Sequence, residues 1–255
     1  MPKRTIALIT GATSGIGKAT AVKLASEGYD VIVTARREEI LQKLGKALTK
    51  KYGVLVLSLA FDIRDKSAVQ KAIETLPSSW KKIAVLVNNA GLAVGRDPIQ
   101  TALTEDWDKT IDTNLKGLLY MTRAVLPLML EQKHGHIVNI GSLAGKEMYP
   151  NGNVYAATKH AVVALSKGMR LDLIGQNIRV TVVNPGHVQT DFAKTRYKGN
   201  LEKVKELYDG FRTLDPEDIA EAIWFAVSRP AHVNVDDILI TPTDQAGSTS
   251  IHRVK

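Results

Sequence analysis

The chain has 255 residues and a formal net charge of +8 at pH 7, and 44% of its residues are hydrophobic. This composition is ordinary for a globular protein, and no apolar run approaches the ~20 residues that a membrane helix needs. Because the chain has no cysteine, disulfides, thiolate zinc sites and a cysteine nucleophile are excluded, and we expect a cytoplasmic location. Its 34 lysines and arginines are spread along amphipathic segments, so we expect no nucleic-acid partner.

Six short apolar runs, rich in β-branched residues, predict buried strands. They cover residues 5–10, 31–34, 54–59, 83–87, 136–140 and 179–183. Segments with apolar residues at helical spacing lie between them, and no linker or repeat divides the chain. The alternation predicts a single α/β domain over residues 1–255, with a doubly wound parallel sheet and helices on both faces.

A glycine-rich turn joins the first predicted strand to the first helix. Glycine allows a tight turn and close approach of the backbone, and the free amides of a helix start favour an anion. A plain strand-to-helix turn also uses glycines, but the strand before and the helix after favour a pyrophosphate site. The predicted contacts are Gly11, Thr13, Ser14, Gly15, Ile16 and Gly17.

The end of the second strand predicts the cofactor. An NAD enzyme would place an acidic residue there for the ribose hydroxyls, whereas this chain has Ala35 followed by Arg36 and Arg37. Two guanidinium groups can hold a 2′-phosphate, which predicts NADP, with Arg36 the stronger candidate. The alternative is that both arginines simply begin a solvated helix, although the helix dipole does not favour arginine at that end.

Polar residues also follow the third and fourth strands, at the edge where ligands bind in such sheets. Asp62 and Ile63 are predicted at the adenine, with Asp62 accepting from its amino group. An equally good interpretation makes Asp62 the N-cap of the next helix. Asn89, Ala90 and Gly91 form either a strand-ending turn or a surface that a cofactor approaches closely.

Tyr155 and Lys159 stand four residues apart in a segment with helical periodicity and therefore share a face. A tyrosine with a pKa of ~10 needs its phenolate stabilised to exchange protons near neutral pH, at ~1.4 kcal/mol for each pKa unit. We expect the Lys159 ammonium and a positive nicotinamide to lower the pKa of Tyr155. In isolation, this pair is common on exposed helices.

Two further side chains support a catalytic interpretation. Ser142 follows the fifth strand, where its hydroxyl can bind a substrate oxygen beside Tyr155, although alone it would be a turn or cap serine. Asn114 lies inside a predicted helix, where asparagine competes for backbone hydrogen bonds. Holding a water that links Lys159 to solvent would explain that position.

The chain resembles the short-chain dehydrogenase/reductase family over nearly its whole length. The resemblance rests on the glycine turn, Asn88-Asn89-Ala90-Gly91, Asn114, Ser142, Tyr155 with Lys159, and Asn184-Pro185-Gly186 with Thr190. It implies a Rossmann-type fold and a homotetramer formed through the helices flanking the active site. It also implies that Tyr155 is the acid/base, that Lys159 binds the ribose, that Ser142 positions the carbonyl and that Asn114 supports the proton relay. Near the nicotinamide it places Pro185, Gly186, Val188 and Thr190.

Within that family the chain is most similar to the NADP-dependent serine and 3-hydroxy acid dehydrogenases, in stretches such as 114–127, 195–199 and 230–234. A 3-hydroxy acid needs a cation for its carboxylate, and we select Arg196 in the segment 187–213, which we expect to be mobile. Alternatively, the basic residues form a solvated loop, or Arg196 serves a subunit contact. Residues 146–148, Lys-Glu-Met, depart from close relatives and change the expected pocket.

Other functions have less support. Sulfonated aldehydes, acyl thioesters, sugars and hydrophobic ketones are alternative substrates, and a non-catalytic NADP-binding regulator would typically have lost one of the four catalytic residues. The six histidines show no His-x-x-x-His pattern, so we expect no metal. The tail from residue 243 is a candidate subunit contact.

Overall fold

The computed structural model describes residues 5–254, which form a parallel sheet of seven strands in the order β3-β2-β1-β4-β5-β6-β7. The strands are β1 (Ile6–Thr10), β2 (Asp30–Ala35), β3 (Val56–Ala60), β4 (Ile83–Asn88), β5 (Gly135–Ile140), β6 (Ile178–Pro185) and β7 (Asp237–Ile240). The α-helices in this range are α1 (Gly15–Ser26), α2 (Glu38–Tyr52), α3 (Lys66–Glu74), α4 (Thr104–Ile111), α5 (Leu118–Glu131), α6 (Asn153–Asp172), α7 (Phe192–Arg196), α8 (Leu201–Tyr208) and α9 (Pro216–Val227).

The predicted fold class is confirmed: helices cover both faces of a doubly wound parallel sheet. All six predicted strands form, with ends that differ from the prediction by two residues or fewer. The seventh strand, β7, was missed. It has only four residues, and its side chains alternate between exposed and half-buried, so it lacks the apolar run that identifies a central strand.

Successive side chains of β1 supply both halves of the core, because residues alternate between the faces of a strand. Ala7 and Ile9 pack into the layer that holds α1, α2 and α9, while Ile6 and Leu8 pack into the layer that holds α3 and α5. Every residue of β1 is buried. This two-sided burial explains why the strand is a continuous apolar run.

The strand order reverses at β1, which pairs with β2 on one side and with β4 on the other. In sheets of this type such a reversal opens a crevice at the carboxyl ends of the strands. Side chains connect the two loops that form the crevice. The Thr10 hydroxyl accepts hydrogen bonds from the backbone N–H groups of Asn89 and Ala90, at 3.0 and 2.9 Å.

Two regions differ from simple alternation. Residues Asp112–Gly117 form a π-helical turn between α4 and α5. The segment 187–213, which we expect to be mobile, contains α7 and α8. Within the described residues, no helix is long and apolar enough to cross a membrane.

Candidate active site

A cleft of about 470 Å³ runs across the carboxyl ends of the strands. It brings together most of the side chains predicted from sequence. Those that line it are Gly11, Thr13, Ser14, Gly15, Ile16, Arg36, Arg37, Asp62, Ile63, Asn89, Ala90, Gly91, Ser142, Tyr155, Lys159, Pro185, Gly186, Val188 and Thr190. Three predicted site residues do not line the cleft: Gly17, Asn114 and Arg196.

The glycine turn is shaped by close backbone approach. Gly11 has a φ of +68°, and a Cβ there would lie 3.0 Å from the Ala90 Cα. Gly17 faces inward, and a Cβ on it would overlap the Gly11 carbonyl oxygen and the Asn89 side chain. Gly17 therefore supports the turn from behind instead of lining the cleft, because no side chain fits at that position.

The start of α1 is suited to an anion. The N-cap residue, Ser14, makes no side-chain capping bond, and the first turn contains no acidic residue. The first backbone amides of a helix have no partner within the helix and carry partial positive charge. A phosphate placed there would accept from these amides.

The two arginines after β2 lie beside this turn. Arg37 donates a hydrogen bond from Nη2 to the Thr13 hydroxyl at 2.8 Å, and Arg36 lines the cleft next to it. Both side chains are exposed. Arg36 and Arg37 therefore place positive charge where the cleft passes the end of β2.

Asp62 is not the N-cap of α3, so that interpretation was wrong. The cap is Asp65, whose carboxylate accepts from the Ser67 and Ala68 amides at 2.9 and 3.0 Å. Asp62 instead pairs with Arg64 at 2.7 Å, and this bond holds the pKa of Asp62 below its usual range. Arg64 also lines the cleft and was not identified from the sequence.

Ser142 lies where β5 ends. Its hydroxyl accepts from the Ala144 amide at 3.1 Å and shares a hydrogen bond with the Tyr155 phenol. Its own backbone N–H donates to the Asn184 Oδ1 at 3.1 Å. Ser142 therefore has a fixed backbone and a hydroxyl directed at Tyr155.

Burial changes the proton affinities of the central pair. It raises the pKa of Tyr155 to about 12, partly offset by the Ser142 hydrogen bond and the Arg196 charge. Burial lowers the pKa of Lys159 to about 8. Lys159 is 6% exposed, and its Nζ donates to the Ile140 carbonyl at 2.8 Å and lies 5.9 Å from the centre of the Tyr155 ring. Within the described chain the pKa of Tyr155 is therefore raised, because desolvation outweighs the Ser142 hydrogen bond and the Arg196 charge. The lowering expected from Lys159 together with a bound nicotinamide stays a prediction.

Asn114 lies in the π-helical turn, and its amide is bound by the protein. Its Oδ1 accepts from the Leu92 N–H at 2.8 Å. Its Nδ2 donates to the Leu92 carbonyl at 2.8 Å and to the Thr158 hydroxyl at 3.1 Å. Asn114 thus ties the chain after β4 to α6, one turn from Tyr155. π-helical turns are frequent at functional sites, and this one directs a polar amide inward.

Arg196 lies beside Tyr155, outside the cleft lining. The side chain is 6% exposed, and its guanidinium lies 5.1 Å from the Tyr155 ring centre and 5.5 Å from that of Tyr149. It borders a small second cavity that Tyr155 also lines. Arg196 is therefore not solvated, unlike its neighbour Lys194, which is exposed and pairs with Asp191 at 2.7 Å.

Two aromatic residues near Tyr155 were missed. The Phe192 ring centre lies 5.4 Å from that of Tyr155, and Tyr149 contacts Arg196. Neither belongs to a motif, since their positions depend on how α7 folds back over α6. Only aromatic character close to the predicted site pointed to them.

The tail folds back on its own chain. The Val254 N–H donates to the Gly210 carbonyl at 2.7 Å, and Gln245 accepts from the His187 N–H at 2.8 Å. Arg253 donates to carbonyls at the end of α8, including that of Leu207 at 3.1 Å. These bonds attach the tail to the segment 187–213.

Comparison with known proteins agrees with this geometry. A family model described as short chain dehydrogenase matches residues 5–201. An NADP-dependent 3-hydroxy acid dehydrogenase, YdfG of Salmonella typhi, is 47% identical over 250 residues, which cover 97% of this chain and 99% of the relative. Sulfoacetaldehyde reductase 2 of Chromohalobacter salexigens is 44% identical over 244 residues, which cover 95% and 96% of the two chains.

Solved structures show the same fold. A closed form of serine dehydrogenase complexed with NADP+ superposes with a TM-score of 0.91 at 44% identity, and the match covers 98% of this chain and 100% of that one. A serine dehydrogenase from Escherichia coli gives a TM-score of 0.81 at 42% identity over 95% of this chain and 100% of the other.

Proposed function

The chain belongs to the short-chain dehydrogenase family, and from this premise we propose that it is an NADP-dependent oxidoreductase acting on 3-hydroxy acids such as serine, allo-threonine or 3-hydroxypropionate. The reaction interconverts an alcohol and its carbonyl. The observation that carries the substrate class is the buried guanidinium of Arg196, which lies 5.1 Å from the Tyr155 ring.

The cleft fits NADP. The glycine turn excludes side chains where the backbone must approach the pyrophosphate, and the start of α1 offers unpaired amides. Arg36, Arg37 and Thr13 would hold the 2′-phosphate, and no carboxylate follows β2 before them. When bound, the nicotinamide supplies or accepts the hydride.

Tyr155 would exchange the proton with the substrate oxygen. Its pKa of about 12 keeps the phenol protonated at neutral pH, so it can donate to a carbonyl that is being reduced. The Ser142 hydroxyl would bind the same oxygen. Lys159, with a pKa of about 8, can exchange a proton near neutral pH. A Cβ on Gly91 would lie 3.3 Å from the Asn114 Oδ1 and 3.6 Å from the Lys159 Nζ, so both groups face Gly91.

Arg196 would bind the substrate carboxylate. Burying an unpaired cation is costly, and no carboxylate in residues 5–254 lies within ion-pair distance of Arg196. Its partners are the Tyr149 hydroxyl and the faces of two tyrosine rings. A substrate acid would pair with this cation beside Tyr155.

A sulfonated aldehyde is the second candidate substrate. A sulfonate is an anion of the same charge that a guanidinium can also bind, and a relative with 44% identity is named sulfoacetaldehyde reductase. Both candidates use the same buried cation. They differ in the size and geometry of the acid.

The test is a substrate panel in which the absorbance of the reduced nicotinamide cofactor, NADPH or NADH, is monitored. Serine, threonine stereoisomers, 3-hydroxypropionate, 3-hydroxyisobutyrate and simple alcohols are assayed with NADP and with NAD, and sulfoacetaldehyde is assayed with NADPH. Tyr155→Phe serves as the control, with an expected loss of about 10²–10⁴-fold in kcat because proton transfer is lost. NADPH binding to this variant should be unchanged.

Turnover of 3-hydroxy acids with NADP, lost in Tyr155→Phe, supports the proposal. Turnover of sulfoacetaldehyde alone selects the second candidate. Tight NADPH binding without turnover of any acid contradicts the proposed substrate class and leaves another carbonyl class or a regulatory role.

We also propose a cytoplasmic homotetramer. The absence of cysteine fits a reducing compartment, and Leu171 and Ile174, at the end of α6, are 68% and 81% exposed. Light scattering during gel filtration tests the tetramer.

A further inference from the structure

Asn184, the last-but-one residue of β6, lies fully buried beside Ser142 but touches neither substrate nor cofactor in the proposed reaction. Its Oδ1 accepts the backbone N–H of Ser142 at 3.1 Å. Its Nδ2 donates to Asp237 Oδ1 at 2.9 Å. The approach is so close that a Cβ on Gly141 would overlap Asn184 Oδ1.

These two bonds require an amide. The N–H of Ser142 needs an acceptor and the carboxylate of Asp237 needs a donor, and asparagine offers one of each on a short side chain. The two partners also fix which end of the amide faces Ser142. An aspartate at position 184 would place one carboxylate against another, and an apolar residue would leave the part-buried Ser142 N–H without its acceptor.

Asp237 is in turn held from the other side. The ammonium of Lys146, just after Ser142 in the chain, pairs with the second oxygen of Asp237. These contacts therefore connect the ends of three neighbouring strands: Ser142 follows β5, Asn184 lies on β6 and Asp237 lies on β7. Lys146 and Asp237 are both about one-third exposed, at 33% and 31%, whereas Asn184 is buried.

We propose that Asn184, oriented by Asp237, is a positioning residue that fixes the Ser142 hydroxyl against Tyr155. The inference rests on the proposed function, because that reaction assigns Ser142 to the substrate oxygen. The hydroxyl has little freedom to compensate, since it already accepts from Ala144 and bonds to Tyr155. A shift of the Ser142 backbone therefore moves the donor away from the reacting oxygen.

A reciprocal exchange tests the proposal. Asn184→Asp alone sets two carboxylates together, and kcat should fall by about tenfold to a hundredfold, as for a misplacement near 1 Å, with NADPH affinity unchanged. Adding Asp237→Asn gives position 237 an amide that can donate to the carboxylate at position 184. That carboxylate still accepts from the Ser142 N–H. The double variant should recover kcat to within about threefold of wild type, a rescue that general destabilisation would not give.

The matched control is Asn234, whose amide likewise accepts from a backbone N–H, that of Val180 at 2.9 Å, and donates to an aspartate, Asp236. This pair lies at the other end of β6. Asn234→Asp should change thermal stability without lowering kcat. A fall in kcat equal to that of Asn184→Asp would overturn the proposal.

Crystal structures of the variants provide a readout that needs no turnover. We expect the Ser142 hydroxyl to be displaced in Asn184→Asp and restored in the double variant, even if the wild type turns over no substrate in the panel. If Asn184→Asp does not fold, Asp237→Leu at the more exposed site replaces it, with an expected severalfold loss of kcat. An unmoved Ser142 with wild-type kcat in Asn184→Asp, or in Asp237→Leu where that variant replaces it, would show that the amide does not position Ser142.

Discussion

The dinucleotide cleft and the segment 187–213 are built in different ways. In the cleft, loops that follow strands approach so closely that a Cβ on Gly11 would lie 3.0 Å from the Ala90 Cα. In the segment, two short helices are attached by side chains: Lys198 pairs with the buried Asp106 at 2.6 Å, and Arg96 donates to the Tyr197 hydroxyl at 2.8 Å. One region depends on the shape of the main chain, and the other depends on charges and rings.

This difference separates the two tasks of the site. The cleft must present amides and small residues to a cofactor that is the same in every turnover. The segment carries Arg196, and with it the proposed contact to the substrate acid. A change of side chain in the segment should alter specificity, whereas an added methyl group in the glycine turn should weaken cofactor binding.

Gly17→Ala should therefore give the largest effect. Its Cβ would overlap the Gly11 carbonyl oxygen, and relieving that overlap displaces the turn that faces the pyrophosphate. We expect NADPH affinity, measured by fluorescence titration, to fall about a hundredfold, equivalent to ~2.7 kcal/mol.

The control for this change is Gly168→Ala in α6, where no atom lies within 4 Å of the added Cβ. Alanine in a helix interior is favoured by up to ~1 kcal/mol over glycine, so stability should hold or rise. Equal losses of NADPH affinity in both variants would contradict the claim that close packing at Gly17 shapes the cofactor site.

Arg36→Gln should have a smaller and more selective effect. Removing one charge-assisted contact from this exposed side chain to a phosphate costs about 1.5 kcal/mol, or roughly tenfold in NADPH affinity. NADH lacks the 2′-phosphate, and its affinity should not fall. Lys43→Gln, an exposed charge on α2 outside the cleft, should change neither value.

The cleft could be predicted from sequence to a much greater extent than the segment. Strand ends, the glycine turn and Tyr155 with Lys159 are local patterns, and the sheet topology brings them together. Arg196 could be named only because the substrate class suggested a cation. The residues around it, Tyr149 and Phe192, meet it through chain reversals that no local pattern records.

Three further features were beyond sequence analysis for related reasons. In the π-helical turn, Asn114 bonds to Leu92 and Thr158, which are distant in the chain and cannot be identified as its partners from local sequence. Asp65, not Asp62, caps α3, because the loop after β3 continues past Asp62 before the helix begins. The strand β7 forms by pairing with β6, whereas its own composition does not predict a strand.

A buried histidine in the sheet should also make the stability of the fold depend on pH. His136 on β5 is 1% exposed, and burial, reinforced by Arg179 and His134, lowers its pKa to about 3. Between pH 6.5 and 3 the unfolded chain binds a proton that the folded chain does not. This residue should therefore make stability fall as pH falls, by about 1.4 kcal/mol per pH unit.

Urea unfolding at pH 7 and pH 5 tests this effect in His136→Gln, whose amide can still donate to Thr181 as the ring does at 2.8 Å. The pH dependence should be smaller in this variant than in wild type. The half-buried His160 on α6 supplies the control, His160→Gln. If both variants keep the full wild-type dependence, His136 is not the cause.

The most direct test of the division between the two regions compares an acid with its neutral counterpart. We would measure kcat/KM for 3-hydroxypropionate and for 1-propanol, with NADP, in the wild type and in Arg196→Gln. Losing a buried charge-assisted contact should lower the value for the acid roughly 10–150-fold and leave that for 1-propanol nearly unchanged. An equal loss for both alcohols, or no loss for the acid, would contradict the assignment of substrate choice to Arg196.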